Sequence, residues 1–326
     1  MILAGDIGGT KTNLALFTPG PERPYREESR RFETAAHADA ESLVEAFLGD
    51  RHTTVTAACL AVAGPVAGGR SRLTNLPWTL SEEALARRFG WRRCRLLNDV
   101  EATAHALPLL DAFELGPVRT VPVRPGGNRG VLAPGTGLGA AWTVQQGNRS
   151  IPVATETGHS DFAPVDAESL SLWRYVAGRE GRVSLEHILS GPGLQRIYQW
   201  RLEEGDGHPD PATGERIAAA DDPSARISEL AISGDDPVCA KALECFVRYL
   251  GAAAGNLALT AMTRGGLYLA GGIAPKILPK LRDGVFEKAF LAKEPFRHLL
   301  ETIPVHVILT ENAPLLGAAK VAMEIS

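Results

Sequence analysis

Short apolar segments alternate with amphipathic segments along the first hundred residues. Ile2–Ala4 and Asn13–Phe17 are apolar with little alternation, which is typical of strands buried on both faces. Ala40–Leu48 carries apolar residues at spacings of three and four, which predicts a helix. Thr54–Ala63 predicts another strand. This alternation of strand and helix favours an α/β sheet with crossover connections.

The next segments continue this alternation. Ser81–Phe89 reads as a helix capped by Ser81, because Ala84, Leu85 and Phe89 fall on one face. Arg95–Leu97 predicts a strand, and Asp99–Leu107 predicts a helix that begins at Asn98-Asp99.

A strand, a glycine-rich turn and a second strand occur together twice in the chain. Gly5–Thr12 is the first such turn, between the two apolar strands at the N-terminus. The second is Pro134–Gly139, which lies between the predicted strands Gly130–Ala133 and Ala140–Gln145. This weak repeat predicts two related lobes that face each other across a cleft.

The second half of the chain is mostly helical from Leu170 onward. The pattern predicts a polar loop over Thr213–Pro223, a long helix over Pro237–Leu259, a strand over Gly266–Ala270 that precedes a helix, and a final helix over Pro314–Ile325.

Composition narrows the class of protein. The chain has 326 residues, of which 44% are hydrophobic and 22% charged, as in ordinary globular proteins. The net charge is -4 and no basic stripe is present, so we expect no nucleic-acid partner. No signal peptide or membrane-spanning segment is recognisable, and the four cysteines form no CxxC pair. We therefore expect a soluble cytoplasmic protein with reduced thiols and no membrane partner.

The first glycine-rich turn has the composition of a phosphate-binding hairpin. Glycine lets backbone N–H groups approach a phosphate closely. The P-loop pattern is absent, and a strand follows where a dinucleotide fingerprint would begin a helix. A hairpin that holds the phosphates of a nucleotide, with Asp6 in a Mg²⁺ shell, fits this pattern better, although steric needs alone could explain the glycines. The predicted nucleotide contacts here are Asp6, Gly8, Gly9, Thr10, Lys11 and Thr12.

Two further glycine clusters are candidates for nucleotide contacts. Gly135, Thr136 and Gly137 would form the second phosphate hairpin. Gly271 and Gly272 follow a strand, where the absence of side chains would let a purine ring or ribose lie against backbone. Each cluster could equally be a tight turn.

The remaining polar candidates suit a sugar. Asp99 could be only a helix cap, but a carboxylate ionised at a helix N-terminus can also act as general base toward a hydroxyl. Vicinal sugar hydroxyls are bound by carboxylates, amides and imidazoles. Taken singly, the two glutamates of this set could be surface acids and the histidine a loop residue. The candidates are Asn98, Asp99, Glu156, His159 and Glu186.

These motifs resemble those of bacterial glucokinases, which belong to the actin/hexokinase-like ATPase superfamily. The resemblance extends along most of the chain. It includes GDIGGTKTNLAL, LLNDVEATA, PGTGLGAAW, ETGHSDFAP, VSLEHILSGPGL, GGLYLAGGIAP and NAPLLGAA. ETGHSDFAP and EHILSGPGL are specific to the family, whereas the glycine hairpins occur across the superfamily.

The resemblance implies a two-lobed, ribonuclease H-like α/β fold with a central cleft and an ATP- and Mg²⁺-dependent phosphorylation of the 6-hydroxyl of glucose. It implies that Asp99 is the base and that the five polar candidates bind the sugar. It also implies that the hairpins, Asp6 and Gly271-Gly272 contact the nucleotide. The small lobe would comprise residues 1–109 and 312–326, and the large lobe residues 110–311. Homodimers are common in such proteins.

The chain departs from the glucokinase pattern in two places. Lys11-Thr12 stands where many of these glucokinases have Asn-Ala, which resembles the related repressor/open-reading-frame/kinase (ROK) sugar kinases. Those relatives carry a zinc-binding cysteine cluster after their GH motif, whereas Gly158-His159 is followed here by SDFAPVDAES without cysteine. The second departure is Glu156-Thr157, which replaces a more glycine-rich context and bears on hexose selectivity.

Three alternatives stay open. A sugar-sensing transcription regulator would need a helix-turn-helix ahead of the first hairpin, which begins at residue 5. A kinase for another hexose or an N-acyl hexosamine would differ by a single hydroxyl contact. A non-catalytic actin-like assembly protein would have no need for the sugar-binding set.

Overall fold

A computed structural model describes residues 1–49, 54–73, 76–122, 124–147, 149–205 and 211–326. The chain divides into two compact units. The first unit comprises Met1–Asp111, Ser150–Ala154 and Thr310–Ser326, and the second comprises Ala112–Arg149 and Thr155–Leu309.

Strands and helices alternate in both units. The strands are β1 (Ile2–Ile7), β2 (Lys11–Thr18), β3 (Tyr25–Glu33), β4 (Ala57–Val62), β5 (Val66–Ala67), β6 (Arg70–Arg72), β7 (Thr79–Ser81), β8 (Arg93–Asn98), β9 (Leu115–Arg119), β10 (Arg129–Pro134), β11 (Leu138–Gln146), β12 (Arg149–Thr155), β13 (Leu267–Leu269) and β14 (Val305–Ile308). The helices are α1 (Ala40–Leu48), α2 (Glu82–Phe89), α3 (Asp99–Ala106), α4 (Ala167–Glu180), α5 (Leu185–Ile188), α6 (Gly191–Glu203), α7 (Pro211–Ala218), α8 (Pro223–Ser233), α9 (Pro237–Ala261), α10 (Leu278–Leu281), α11 (Val285–Leu291), α12 (Arg297–Leu300) and α13 (Ala313–Glu324).

The first unit is built on the sheet β3-β2-β1-β4-β8. Strand β1 pairs antiparallel with β2 and parallel with β4, which pairs parallel with β8. Side chains alternate between the two faces, so Leu3 and Ile7 join a core with α1, while Ile2 and Ala4 join a core with α13. Because both faces are covered, β4 is buried along its whole length.

A second sheet, β12-β11-β10-β13-β14-β9, repeats this plan. Strand β10 pairs antiparallel with β11 and parallel with β13, and β13 pairs parallel with β14. Apart from β9, the strands of this sheet are arranged as in the first sheet. Counted along the chain, the third strand lies at one edge and is followed across the sheet by the second, the first, the fourth and the fifth. Strand β9 is an added antiparallel edge. The predicted repeat of strand, glycine turn and strand corresponds to the start of each sheet.

Helix α9 provides much of the core of the second unit. Its 25 residues begin at an Asp236 cap and include Phe246, Tyr249 and Leu250, all of which are buried. The helix ends where Met262 adopts a left-handed conformation with φ of 50°. The sequence pattern predicted this helix to within two residues at its end.

One prediction about secondary structure is wrong. Thr213–Pro223 is not a loop, because α7 continues to Ala218 and α8 begins at Pro223. The Asp222 side chain caps α8, and this Asp-Pro sequence is a helix-start signal that polarity obscured. The strand β13 precedes a helix as predicted, and turns occupy residues 271–277 between β13 and α10.

Helices α3 and α13 approach each other closely at Gly317, and this contact can be tested. A Cβ at Gly317 would lie 1.7 Å from the Ala102 carbonyl oxygen and 3.1 Å from the Ala106 nitrogen. We expect Gly317→Ala to separate the helices and to lower the free energy of unfolding by about 2–3 kcal/mol in urea denaturation.

Gly178→Ala is the matched control, because Gly178 is an exposed residue of α4 and a Cβ there would meet nothing within 4 Å. Because alanine has a higher helix propensity than glycine, Gly178→Ala should leave the free energy of unfolding unchanged or raise it by up to about 1 kcal/mol. Equal losses in the two variants would contradict close packing at Gly317.

Candidate active site

The first glycine turn is a tight hairpin that side chains support from outside. The N–H of Gly8 donates to the Lys11 carbonyl at 3.0 Å, and a Cβ at Gly8 would lie 2.9 Å from that oxygen. Thr34 donates its hydroxyl to the Gly8 carbonyl at 2.9 Å and its N–H to the Thr10 carbonyl at 2.8 Å. The strands extend further than predicted, so the turn is confined to residues 8–10 and Asp6 lies within β1.

Thr12 has a different placement from the rest of the predicted nucleotide contacts on this hairpin. Its side chain is fully buried, and its hydroxyl lies 3.0 Å from that of Thr34. By contrast, Thr10 and Lys11 are exposed and Gly9 is half-buried. We infer that the buried Thr12 side chain supports the hairpin from the protein interior.

Asp6 begins a row of polar side chains across three adjacent strands. It pairs in register with Asn13 of β2, which pairs in register with Arg31 of β3. Asn13 hydrogen-bonds to the Asp6 carboxyl, and Arg31 Nε donates to Asn13 Oδ1 at 3.0 Å. Burial raises the pKa of Asp6 to about 7, the negative charge of Asp99 adds to this rise, and Asn13 and Arg31 oppose it.

Asn98 and Asp99 lie at the carboxyl end of the same sheet. Asn98, and not Asp99, is the N-cap of α3, because Asn98 Oδ1 accepts from the N–H groups of Val100 and Glu101 at 2.9 and 3.3 Å. The Asn98 amide also donates to the Gly64 carbonyl at 3.3 Å. Asp99 is the first residue of the helix. Asp99 Oδ1 also accepts from the Val100 N–H, at 2.9 Å, so its carboxylate lies at the helix N-terminus beside the Asn98 cap.

The second hairpin, between β10 and β11, turns over residues 135–137. The N–H of Gly135 donates to the Gly137 carbonyl at 2.8 Å. Glu186 Oε2 accepts from the N–H of Leu138 at 2.9 Å, and a Cβ at Gly137 would lie 2.4 Å from the same oxygen. The structure therefore brings one predicted sugar ligand against the predicted phosphate hairpin of the second unit.

Glu156 precedes a single turn of 3₁₀ helix at Thr157–His159, His159 is its last residue, and both residues are exposed. Arg182 donates to the His159 carbonyl at 2.7 Å, and the N–H of Leu185 donates to the Ser160 carbonyl at 2.9 Å. This segment therefore lies beside the chain that leads into α5, on which Glu186 is the second residue.

A cavity of about 380 Å³ in the second unit joins the second hairpin to the turn after β13. Gly135, Thr136 and Gly272 line it. Two helices reach it by their N-terminal ends, α6 capped by Ser190 and α8 capped by Asp222. Several residues of the cavity were not predicted from the sequence. The Asp-Pro and Ser-Gly-Pro motifs, which mark the starts of α8 and α6, could have indicated them. The missed residues are Gly191, Pro192, Gln195, Asp221, Asp222, Pro223, Ser224, Ile273 and Lys276.

Gly271 has a backbone role beside this cavity. Its φ is +77°, and a Cβ there would lie 2.4 Å from the Pro134 carbonyl oxygen. Glycine is therefore required where the turn passes the end of β10. Gly272, by contrast, lines the cavity and has open space where a Cβ would stand.

The predicted residues thus fall into two groups. The first unit brings together Asp6, its hairpin, Asn98 and Asp99 at one end of a sheet. The second unit brings together the second hairpin, Glu186 and the Glu156–His159 segment, with Gly272 across the cavity. Within the described residues, no cluster of three or more His, Cys, Asp or Glu side chains could hold a metal ion.

Comparison with known proteins identifies the class. The chain has the actin-like ATPase fold of sugar kinases, and a solved glucokinase structure from an Antarctic psychrotroph superposes with a TM-score of 0.87 at 32% identity, covering 99% of this chain and 98% of that one. A glucokinase of Synechocystis sp. is 36% identical over 99% of this chain and 98% of its own length. A Caulobacter sp. glucokinase is 38% identical over 97% and 93%.

The family model described as Glucokinase matches residues 3–325. The chain therefore belongs to the glucokinase family. The predicted family, the predicted fold class and the prediction of a hexokinase-type kinase are confirmed.

The pKa of Asp6 yields a test of its environment. An acid whose pKa is higher in the fold than in the unfolded chain lowers the free energy of unfolding as pH rises from about 4 to about 7. We expect Asp6→Asn to be more stable than the parent by about 2 kcal/mol at pH 8 and to match it near pH 4. Urea denaturation without nucleotide and with EDTA measures this. A difference that does not change with pH would contradict the burial of the Asp6 charge.

Proposed function

We propose that this protein is a glucokinase that transfers the γ-phosphoryl group of ATP to the 6-hydroxyl of glucose, giving glucose 6-phosphate and ADP. The observation that carries the proposal is the placement of Asp99 in the first unit. A carboxylate at the start of α3 and a glycine hairpin at the end of β1 share the carboxyl edge of one sheet. A base for a hydroxyl and a cradle for phosphate belong together in a sugar kinase.

Backbone N–H groups of the two glycine hairpins would bind the phosphates of ATP. The first hairpin would contact the phosphates through Gly8, Gly9, Thr10 and Lys11, and the second through Gly135–Gly137. The cavity beside Gly272 suits the adenosine, because it is lined by backbone, by the carboxylates of Asp221 and Asp222, and by Lys276. Carboxylates are suitable acceptors for ribose hydroxyls.

Glucose would be bound by the amide, carboxylates and imidazole of the predicted set. Asp99 would accept the proton of the 6-hydroxyl as the oxygen attacks phosphorus, which contributes about 10²–10⁴ in rate. The rest of the catalysis would come from alignment of the two substrates and from neutralisation of phosphate charge. The sugar-binding set is Asn98, Asp99, Glu156, His159 and Glu186.

Mg²⁺ is the cofactor that this chemistry implies, and the residues of the first unit fit it. Asp6 offers a hard oxygen donor beside the first hairpin, and a nearby cation would favour the ionised form of a carboxyl whose pKa burial has raised. Mg²⁺ in such sites is bound by one or two carboxylates, water and substrate phosphates, so a cage of protein ligands is unnecessary. The ion would neutralise the charge of the triphosphate.

We propose a place in glycolysis, a cytoplasmic location and a homodimer. The four cysteines are all buried and unbonded, which suits a reducing compartment. None of the helices in the described ranges is both long and apolar enough to cross a membrane. The homodimer rests on the family resemblance.

Asp99→Asn tests the role of the base. The amide keeps the size of the side chain but cannot accept a proton from the sugar, so we expect kcat to fall at least about 100-fold. The dissociation constant for glucose should change by less than about fivefold, because hydrogen bonding to the hydroxyl survives. A coupled assay of ADP release and a calorimetric titration of glucose measure the two quantities.

Glu83→Gln is the control, because Glu83 is an exposed residue of α2 whose ion pair with Arg87 has little energetic value. Its activity should equal that of the parent. Near-normal turnover in Asp99→Asn would contradict the base assignment.

A further inference from the structure

The second hairpin is held in place by the two segments that carry the proposed sugar ligands. Four consecutive residues are involved, Gly135 to Leu138, and backbone groups and Glu186 from these segments contact them. The predicted phosphate site and the predicted sugar site of the second unit are therefore not two independent features of the fold.

Glu186 makes the most direct of these contacts. Its Oε2 accepts from the N–H of Leu138 at 2.9 Å, across 48 positions of sequence. That oxygen also lies 2.4 Å from the place of a Cβ at Gly137, so glycine leaves room for the carboxylate there. No described residue donates a hydrogen bond to Oε1 of Glu186. One oxygen thus serves the hairpin and the other can serve a sugar hydroxyl.

Backbone contacts fix the hairpin from two more directions. A Cβ at Gly158 would lie 1.9 Å from the Leu138 carbonyl oxygen, so the segment that carries Glu156 and His159 packs against the hairpin backbone. The N–H of Gly191, just after α5, donates to the Gly135 carbonyl at 2.8 Å. A shift of either sugar-binding segment would therefore move the hairpin.

We propose that Glu186 is a positioning residue that couples glucose binding to nucleotide binding through the N–H of Leu138. The proposal rests on the proposed function, because it takes glucose and ATP as the two ligands. A sugar hydroxyl bound at Oε1 fixes the orientation of the carboxylate, and the carboxylate fixes the hairpin that receives the phosphates. Coupling of this kind is reciprocal, so each ligand should raise the affinity for the other by the same factor.

The coupling can be measured with Mg²⁺ and AMPPNP, a nucleotide analogue that resists transfer. In the wild type, saturating glucose should lower the dissociation constant for AMPPNP by about tenfold, within the usual range for linked sites. Glu186→Ala removes the acceptor for the Leu138 N–H, so the factor should fall to about one. Glu186→Gln keeps an acceptor oxygen, so it should retain part of the coupling.

The contact between Glu186 and the second hairpin can also be tested by a substitution in the hairpin. Gly137→Ala would displace the Glu186 carboxylate, so we expect it to weaken glucose binding by about tenfold with no nucleotide present. Gly178→Ala is the matched control, because Gly178 is exposed on α4, lies outside the proposed binding residues, and a Cβ there meets nothing within 4 Å; nucleotide-free glucose affinity should stay within about twofold. In the Glu186→Ala background, Gly137→Ala should have no further effect on glucose affinity.

The outcomes separate the inference from the function. Coupling that survives intact in Glu186→Ala, or equal effects of Gly137→Ala and Gly178→Ala on glucose affinity, would overturn the inference. A wild type that phosphorylates glucose but shows no coupling would also overturn it, and the proposed function would stand. A wild type that neither binds nor phosphorylates glucose would overturn both.

Discussion

A phosphate bound by backbone amides requires a loop of small residues that nevertheless keeps its shape. Both hairpins of this protein meet that requirement with side chains supplied from elsewhere in the chain. In the first, Thr34 bonds the hairpin backbone and the buried hydroxyl of Thr12. In the second, Glu186 bonds the N–H of Leu138. Glycine permits the close approach, and the distant side chain removes the freedom that glycine would otherwise leave.

The position of each hairpin in its sheet follows from the repeated topology. In both units, a hairpin of the first two strands precedes a parallel partner strand, so the loop lies at the carboxyl end of that strand. Asp6 is the second-last residue of β1 before the loop, where it begins the polar row through Asn13 and Arg31. The same edge carries Asp99 at the start of α3. Strand order therefore places acidic groups beside the first glycine hairpin.

Local features of the fold could be predicted from the sequence where the signal is itself local. Periodicity placed α1 at Ala40–Leu48, and a cap residue placed the start of α2 after Ser81. The glycine hairpins and their flanking strands were also predicted from the sequence. The polar stretch after Thr213 was misread, because a helix with many polar residues has a weak apolar stripe and only its Asp-Pro start marks it.

The site was less predictable, because its important contacts join residues far apart in sequence. Nothing local shows that Glu186 reaches Leu138, that Thr12 turns inward, or that Asp222 and Lys276 share a cavity with Thr136. Family motifs supplied those residues that lie within specific segments, such as Glu156, His159 and Glu186. They did not indicate which side chains support the hairpins, since support depends on three-dimensional packing.

The central claim is phosphorylation of glucose at its 6-hydroxyl with ATP as donor. Incubating the purified protein with Mg²⁺ and ATP, and in turn with glucose, other hexoses and N-acetylglucosamine, tests it most directly when the products are assigned by ³¹P and ¹H NMR. Parallel reactions with ADP and polyphosphate test the donor. We expect glucose 6-phosphate and ADP, with kcat/KM highest for glucose and ATP. A higher kcat/KM for another sugar, or no phosphorylated sugar at all, would contradict it.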